Sequence, residues 1–224
     1  MPKPTFLNLP DDKRARFLNL ALDEFAAHDY AGASLSKRVA RAGIAKGSVY
    51  QYFEDKADLF VYLVEHAQNM LLETVREESG LSHETALNAS WLTLLRAQMS
   101  ATVRAALRHP RESQLVQRAY QAPAPIRRRL ERHDAGVRLT HLRALLAQAQ
   151  ANAELAPDCD LDVATHVLAG IVGGLGPLVM KRLGFDPDQD ASVPAEHLDA
   201  ARLEPIFDEV IQIVQYGLGP ERGR

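Results

Sequence analysis

Between Ser34 and Phe53 the chain reads SLSKRVARAGIAKGSVYQYF, and its polar side chains suit hydrogen bonding to nucleic acid. Glutamine can pair with adenine, serine with several base edges, and lysine with guanine or phosphate. These groups can read a duplex only from one face of an element slim enough for the major groove. The spacing supplies such an element. Val49 and Phe53 make an inner i, i+4 pair, leaving Lys46, Ser48, Gln51 and Tyr52, with Tyr50 beside them, on or near the outer face. Gly47 lets the backbone approach closely, and Tyr52 and Lys56 are placed to meet phosphate. An earlier helix is expected to be capped by the Ser34 hydroxyl, with Leu35, Val39 and Ala42 on its inward face. Gly43 ends it in the left-handed conformation, and Ile44 packs at the cap. Two short helices joined by a tight turn form a helix-turn-helix candidate with Ser34, Lys46, Gly47, Ser48, Tyr50, Gln51, Tyr52 and Lys56 as its DNA-binding residues.

From Phe25 to Phe60 the run FAAHDYAGASLSKRVARAGIAKGSVYQYFEDKADLF resembles the DNA-binding segment of TetR-family transcriptional regulators. The shared features are a phenylalanine ending the first helix, an aromatic-x-x-x-Ser/Thr lead, an alanine-glycine turn, a Lys-Gly-Ser/Thr-aliphatic-Tyr-x-Tyr-Phe recognition helix and an acidic-Lys-x-x-Leu start to the next helix. Arg38 and Ala45 depart from the family's usual apolar and capping residues. The resemblance implies an all-α homodimer that binds a near-palindromic operator in double-stranded DNA, most often as a repressor.

Residues 1 to 56 carry nine Lys/Arg against seven Asp/Glu, a local net of +2 in a chain whose formal net charge is −3. Phosphate binding depends on local charge, so the acidic whole does not count against DNA, but it argues against a nonspecific polycation. With 224 residues, 46% of them hydrophobic, the chain can bury a sizeable core. A single cysteine, Cys159, excludes an intramolecular disulfide and suits a reducing compartment. The amino-terminal residues do not read as a secretory signal, and a cytoplasmic location is expected.

Phe17, Ala21 and Phe25 give a first helix after Pro10 its apolar stripe. A long helix is expected over about 55 to 78, then one over 83 to 108 that is buried nearly all round, a short one near 111 to 120, a linker at 121 to 125, and a single helix from 126 to 151. Arg127, Arg128, Arg129 and Arg132 read as a solvated face. Residues 163 to 180 lack Asp, Glu, Lys and Arg and approach transmembrane length. His166, the glycines and Pro177 favour a buried helix instead, and no membrane partner is expected. Gly170 and Gly174 permit close helix approach, and a last helix over about 198 to 217 carries Phe207, Ile211 and Val214. These five are the dimerisation candidates, and the resemblance implies a four-helix bundle between two copies.

A largely apolar small-molecule effector is expected in the body, where Trp91, Leu95 and Met99 mix with Gln98 and Thr102, joined by Tyr120, His141 and His166. The plain alternative is that this stripe is core. No HExxH, P-loop, GxSxG or Cys/His cluster appears, so no enzyme, metal or cofactor is expected. Asp186-x-Asp188-x-Asp190 resembles the opening of a calcium loop, but Ala191 stands where that loop needs glycine.

The expected fold is therefore all-α with about nine helices. Residues 1–56 form a three-helix, helix-turn-helix DNA-binding domain, and residues 57–224 a helical effector-binding and dimerisation domain. Its expected function is that of a ligand-responsive regulator, most often a repressor released from DNA by the ligand. The alternatives are a helical enzyme or scaffold with a merely structural helix-turn-helix, and a DNA-binding regulator without a ligand.

Overall fold

Proline placement and apolar periodicity set most helix boundaries in the computed structural model, which describes residues 2–35, 48–79, 89–133, 137–186 and 200–216. Ten α-helices and no strands occur among these residues: α1 (Pro4–Leu7), α2 (Asp11–Ala27), α3 (Ser48–Tyr52), α4 (Lys56–Glu78), α5 (Trp91–Arg108), α6 (Pro110–Tyr120), α7 (Ala124–His133), α8 (Val137–Ala151), α9 (Leu161–Arg182) and α10 (Ala200–Tyr216). Pro4 and Pro110 open α1 and α6, where a missing N–H costs nothing. Asp11 and Asp12 occupy the first turn of α2, favourable to its dipole. Asp160 caps α9 by accepting the Asp162 and Val163 N–H groups.

The chain divides into two compact units. The first comprises Met1–Leu72 and His109–Ala135. Its core is aromatic: Phe6, Phe17, Phe25, Phe53 and Phe60 are all but fully enclosed. Phe6 meets Phe53 at 5.0 Å and Phe17 at 6.0 Å between ring centroids, while Phe25 meets Phe60 edge-on at 4.9 Å. Leu115, Val116, Ala119, Ala122 and Ile126, from α6 and the segment after it, join the same core. The compact units thus divide the chain differently from the functional division expected at 56/57, because α6 and α7 fold with the amino-terminal residues.

The second unit comprises Glu73–Arg108 and Gly136–Arg224. Helix α5 lies at its centre, packed by α8, α9 and α10. Leu95, Met99, Val103 and Leu107 from α5 meet Leu146, Leu168, Val172, Leu175, Val179, Leu203 and Phe207. Helix α9 is long and apolar enough to cross a membrane by length and composition. Here its Leu168, Val172, Leu175 and Val179 form one wall of a globular core.

The helix expected over 126 to 151 is described as α7 and α8 on either side of residues 134–136, which lie outside the described ones, and the two sides belong to different units. The 121–125 segment is not a free linker: Ala122 is buried and Ala124 already begins α7, with Pro125 in a first turn that tolerates it. The four-residue helix α1 has too little sequence for periodicity to announce it.

Deleting the Phe53 ring should cost about 3–5 kcal/mol by combining lost burial with an unfilled cavity. Leu7→Ser, at a side chain 55% exposed, should stay within about 0.5 kcal/mol. Urea denaturation of Phe53→Ala and Leu7→Ser against the parent checks the contrast.

Candidate nucleic-acid interface

Helix α3 offers one face to solvent and one to the aromatic core. Val49 and Phe53 are buried, while Tyr50, 60% exposed, and Gln51 face outward. The inner pair anchors the helix through apolar burial, leaving the outer side chains free of packing duties. Lys46 and Gly47 lie outside the described residues, as does the side chain of Ser48. A small cleft beside α3 is lined by Ala33, Ser34, Leu35, Val49, Tyr50 and Lys56.

Carboxylates satisfy backbone N–H groups at both ends of the 34–55 stretch, and guanidinium groups of α6 and α7 hold the neighbouring elements. On the leading side, the buried Glu24 carboxylate accepts the Ser34 N–H at 2.6 Å. Ser34 is thus fixed through its backbone. The end of α2 is closed from α6, where the Arg118 guanidinium donates to the carbonyls of Ala26 at 2.8 Å and Ala27 at 3.3 Å. A cation at a helix carboxyl end both satisfies free carbonyls and meets the negative dipole end. Arg111 adds an ion pair to Asp23 at 2.7 Å.

On the trailing side, Asp55 caps α4 by accepting the Asp58 N–H at 2.6 Å, and Asp58 in turn accepts the Glu54 N–H at 3.3 Å. Arg129 of α7 donates to both Asp55 carboxylate oxygens at 3.2 Å. Burial pushes the Asp55 carboxyl up, but the Asp58 N–H and the Arg129 guanidinium together outweigh it and hold the group below the usual carboxylate range. Burial, followed by the Asp55 charge, pushes the Tyr30 phenol up.

Two expected phosphate contacts are placed differently. The Lys56 ammonium points inward, donating to the Ala33 carbonyl at 2.6 Å and lying 4.9 Å from the Tyr30 ring centroid. Partial burial lowers its pKa, against the raising fields of Asp29 and Glu24. An aromatic face and a free carbonyl therefore hold this cation in place of solvent. Tyr52 is half-buried, its ring 5.3 Å from Phe17 and 5.9 Å from Phe6. A residue three positions from Val49 lies on the same side of a helix and so faces the core.

Spacing gave no sign of Lys3 or Thr5. The Lys3 ammonium donates to the Tyr50 carbonyl at 2.8 Å, the Lys3 N–H to the Tyr52 carbonyl at 2.8 Å, and the Thr5 hydroxyl to the Gln51 carbonyl at 2.6 Å.

The expected effector residues do not converge. Leu95 and Met99 are fully enclosed, Trp91 packs at the margin of the second core, and Gln98 faces outward. The Thr102 hydroxyl donates to the Gln98 carbonyl at 2.7 Å, within its own helix. His141 and His166 are exposed, with His166 Nδ1 2.7 Å from the Asp162 carbonyl oxygen. Tyr120 is 62% exposed and belongs to the first unit. Of the dimerisation candidates, Phe207 is a correction: it is fully enclosed in the second core, where it has no surface to offer a partner. Gly170 and Gly174 are exposed, Ile211 and Val214 partly so.

Residues 17–63 match the model of bacterial regulatory proteins of the tetR family. The HTH-type transcriptional regulator SrpR of Pseudomonas putida is 22% identical over 165 residues, 74% of each chain. A TetR-family transcriptional regulator from Chloroflexus aurantiacus J-10-FL is 29% identical, with a TM-score of 0.77 covering 97% of this chain and 98% of that one. FadR of Bacillus subtilis, solved in complex with stearoyl-CoA, shares the fold at 17% identity, with a TM-score of 0.65 over 92% of this chain and 99% of that one. The family-matched segment spans the outward-facing helix, and the likeness to a TetR-family transcriptional regulator runs the length of the chain.

Proposed function

We propose that the protein is a homodimeric repressor that grips a near-palindromic operator through α3 of each copy and leaves it when a small molecule binds the body. The division of labour is residues 1–56 for DNA and residues 57–224 for effector and dimerisation. The observation that carries the DNA reading is α3 itself, which buries Val49 and Phe53 while turning Tyr50 and Gln51 to solvent. Tyr50 and Gln51 then read base edges, with Lys46, Gly47 and Ser48 beside them at the groove. Ser34 sits beside that surface, in the cleft lined by Tyr50. Such a protein works in the cytoplasm, where the DNA is.

Helix α9 supports the dimer. Val163, Val167 and Leu178 are 60%, 56% and 42% exposed, and they share a face with the exposed Gly170 and Gly174. Ile213 and Tyr216 of α10 add further exposed apolar surface. Apolar residues at this spacing are explained by a second copy, which buries them and sets two α3 helices on one side of the duplex.

The effector is proposed to be largely apolar and to enter along α5, near Trp91, Leu95 and Met99. The fold likeness to a protein solved with stearoyl-CoA makes acyl thioesters the first class to test. Because Leu95 and Met99 are enclosed, occupation must rearrange the second unit, and the ligand acts only as far as it prefers that arrangement.

Each element has its own check. On a duplex that the protein selects from a randomised pool, Gln51→Ala should cost about 1–3 kcal/mol and relax base preference, whereas Lys46→Ala should weaken all duplexes and lower the salt slope by about one unit. A Cβ at Gly174 meets nothing within 4 Å in one copy, so Gly174→Phe should leave the protomer folded but yield monomers in sedimentation. A wild-type monomer at working concentration removes the dimer. Stearoyl-CoA or a related apolar compound should change the fluorescence of Trp91, the sole tryptophan, and weaken operator binding together. If a broad apolar and cationic panel changes neither, the ligand step fails and the DNA step stands.

A further inference from the structure

Helix α3 ends in carbonyls that its own backbone cannot satisfy, and the amino-terminal turn meets three of them. The last four carbonyls of any helix lack intrahelical donors. Here Lys3 Nζ donates to the Tyr50 carbonyl, Thr5 Oγ1 to that of Gln51 and the Lys3 N–H to that of Tyr52, at 2.8, 2.6 and 2.8 Å. The two outward side chains of α3 thus belong to the same residues whose carbonyls are held. The donors are fixed in turn by Phe6, which is fully enclosed against Phe17, Tyr52, Phe53 and Tyr62. A lysine ammonium at this end also opposes the negative pole of the helix dipole.

We propose that Lys3 and Thr5 are positioning residues for sequence reading: they cap α3 and fix the orientation from which Tyr50 and Gln51 meet the bases, without themselves binding phosphate. The proposal rests on the DNA-binding reading. It separates two roles open to an exposed lysine beside a groove-reading helix. A phosphate contact weakens every duplex on removal and lowers the salt slope by about one unit. A cap acts through α3, so its loss falls on the sequence that α3 reads and leaves the slope intact.

The test uses the full chain with Lys3→Ala/Thr5→Ala, which retains Phe6, on two probes: a duplex selected by the wild-type protein from a randomised pool, and one mixed-sequence duplex. Affinity for the selected duplex should fall about tenfold, the scale of one lost charge-assisted hydrogen bond, with little change on the mixed sequence and no change in salt slope. Thr5→Ser, which keeps a hydroxyl, should restore the threonine's share. Amide exchange at Tyr52 and Phe53 should quicken in the double variant without DNA. Equal loss on both duplexes with a slope lower by about one makes Lys3 a phosphate contact and overturns the proposal, as does unchanged affinity. Should the double variant fail to fold, the near-isosteric Thr5→Val decides by the same selected-duplex and exchange measurements. If the wild-type protein selects no duplex, the DNA-binding reading fails, and unchanged exchange in the variant would separately refute the cap.

Discussion

The proposed reading helix α3 must be held firmly where it meets DNA, and the last carbonyls of a helix find no donor in its own backbone. The first unit is organised around this constraint. Phe53 and Val49 hold α3 from beneath by apolar burial. Lys3 and Thr5 occupy its terminal carbonyls. Asp55 starts α4 immediately afterwards, and Arg129 holds Asp55. Before the stretch, Glu24 takes the Ser34 N–H, and Arg118 closes the helix on which Glu24 sits. Each polar bond is modest in net terms, and those of Glu24, Asp55 and Arg118 are partly shielded from water. Together they make the outward face of α3 a property of the whole unit.

Local periodicity made much of this legible. The i, i+4 pair Val49 and Phe53 announced which side of α3 is buried, and Phe17, Ala21 and Phe25 did the same for α2. The apolar run in α9 and the amphipathic last helix likewise emerged close to their expected limits. Several misses share a cause: they depend on partners far away in sequence. Lys3 and Thr5 bond residues 47 and 46 positions on, and Arg118 bonds carbonyls 92 and 91 positions back. No local pattern encodes such pairings. Lys56 misled for the same reason, since Tyr30 and the Ala33 carbonyl capture a cation that spacing assigns to solvent. Phe207 looked like an interface residue because a helix rich in apolar groups does not declare which of them the protomer keeps.

In the second unit, the shared fold and the specificity separate. Helix α5 is packed by three neighbours, which fixes the architecture, while selectivity for an effector would reside in a few side chains along it. A ligand acts on DNA binding only by favouring one arrangement of the protein over another, however tightly it binds. Leu95 and Met99 are enclosed, so the proposed effector would have to move the helices that pack there.

The central claim, that α3 presents Tyr50 and Gln51 to the duplex, is most directly tested by site-specific photocrosslinking. A benzophenone side chain replaces either Tyr50 or Tyr120, residues of similar exposure at 60% and 62%, and the protein is irradiated on its selected duplex. The account predicts crosslinks to bases from position 50 and none from position 120. Bound protein that crosslinks from position 120 but not from position 50 would contradict it.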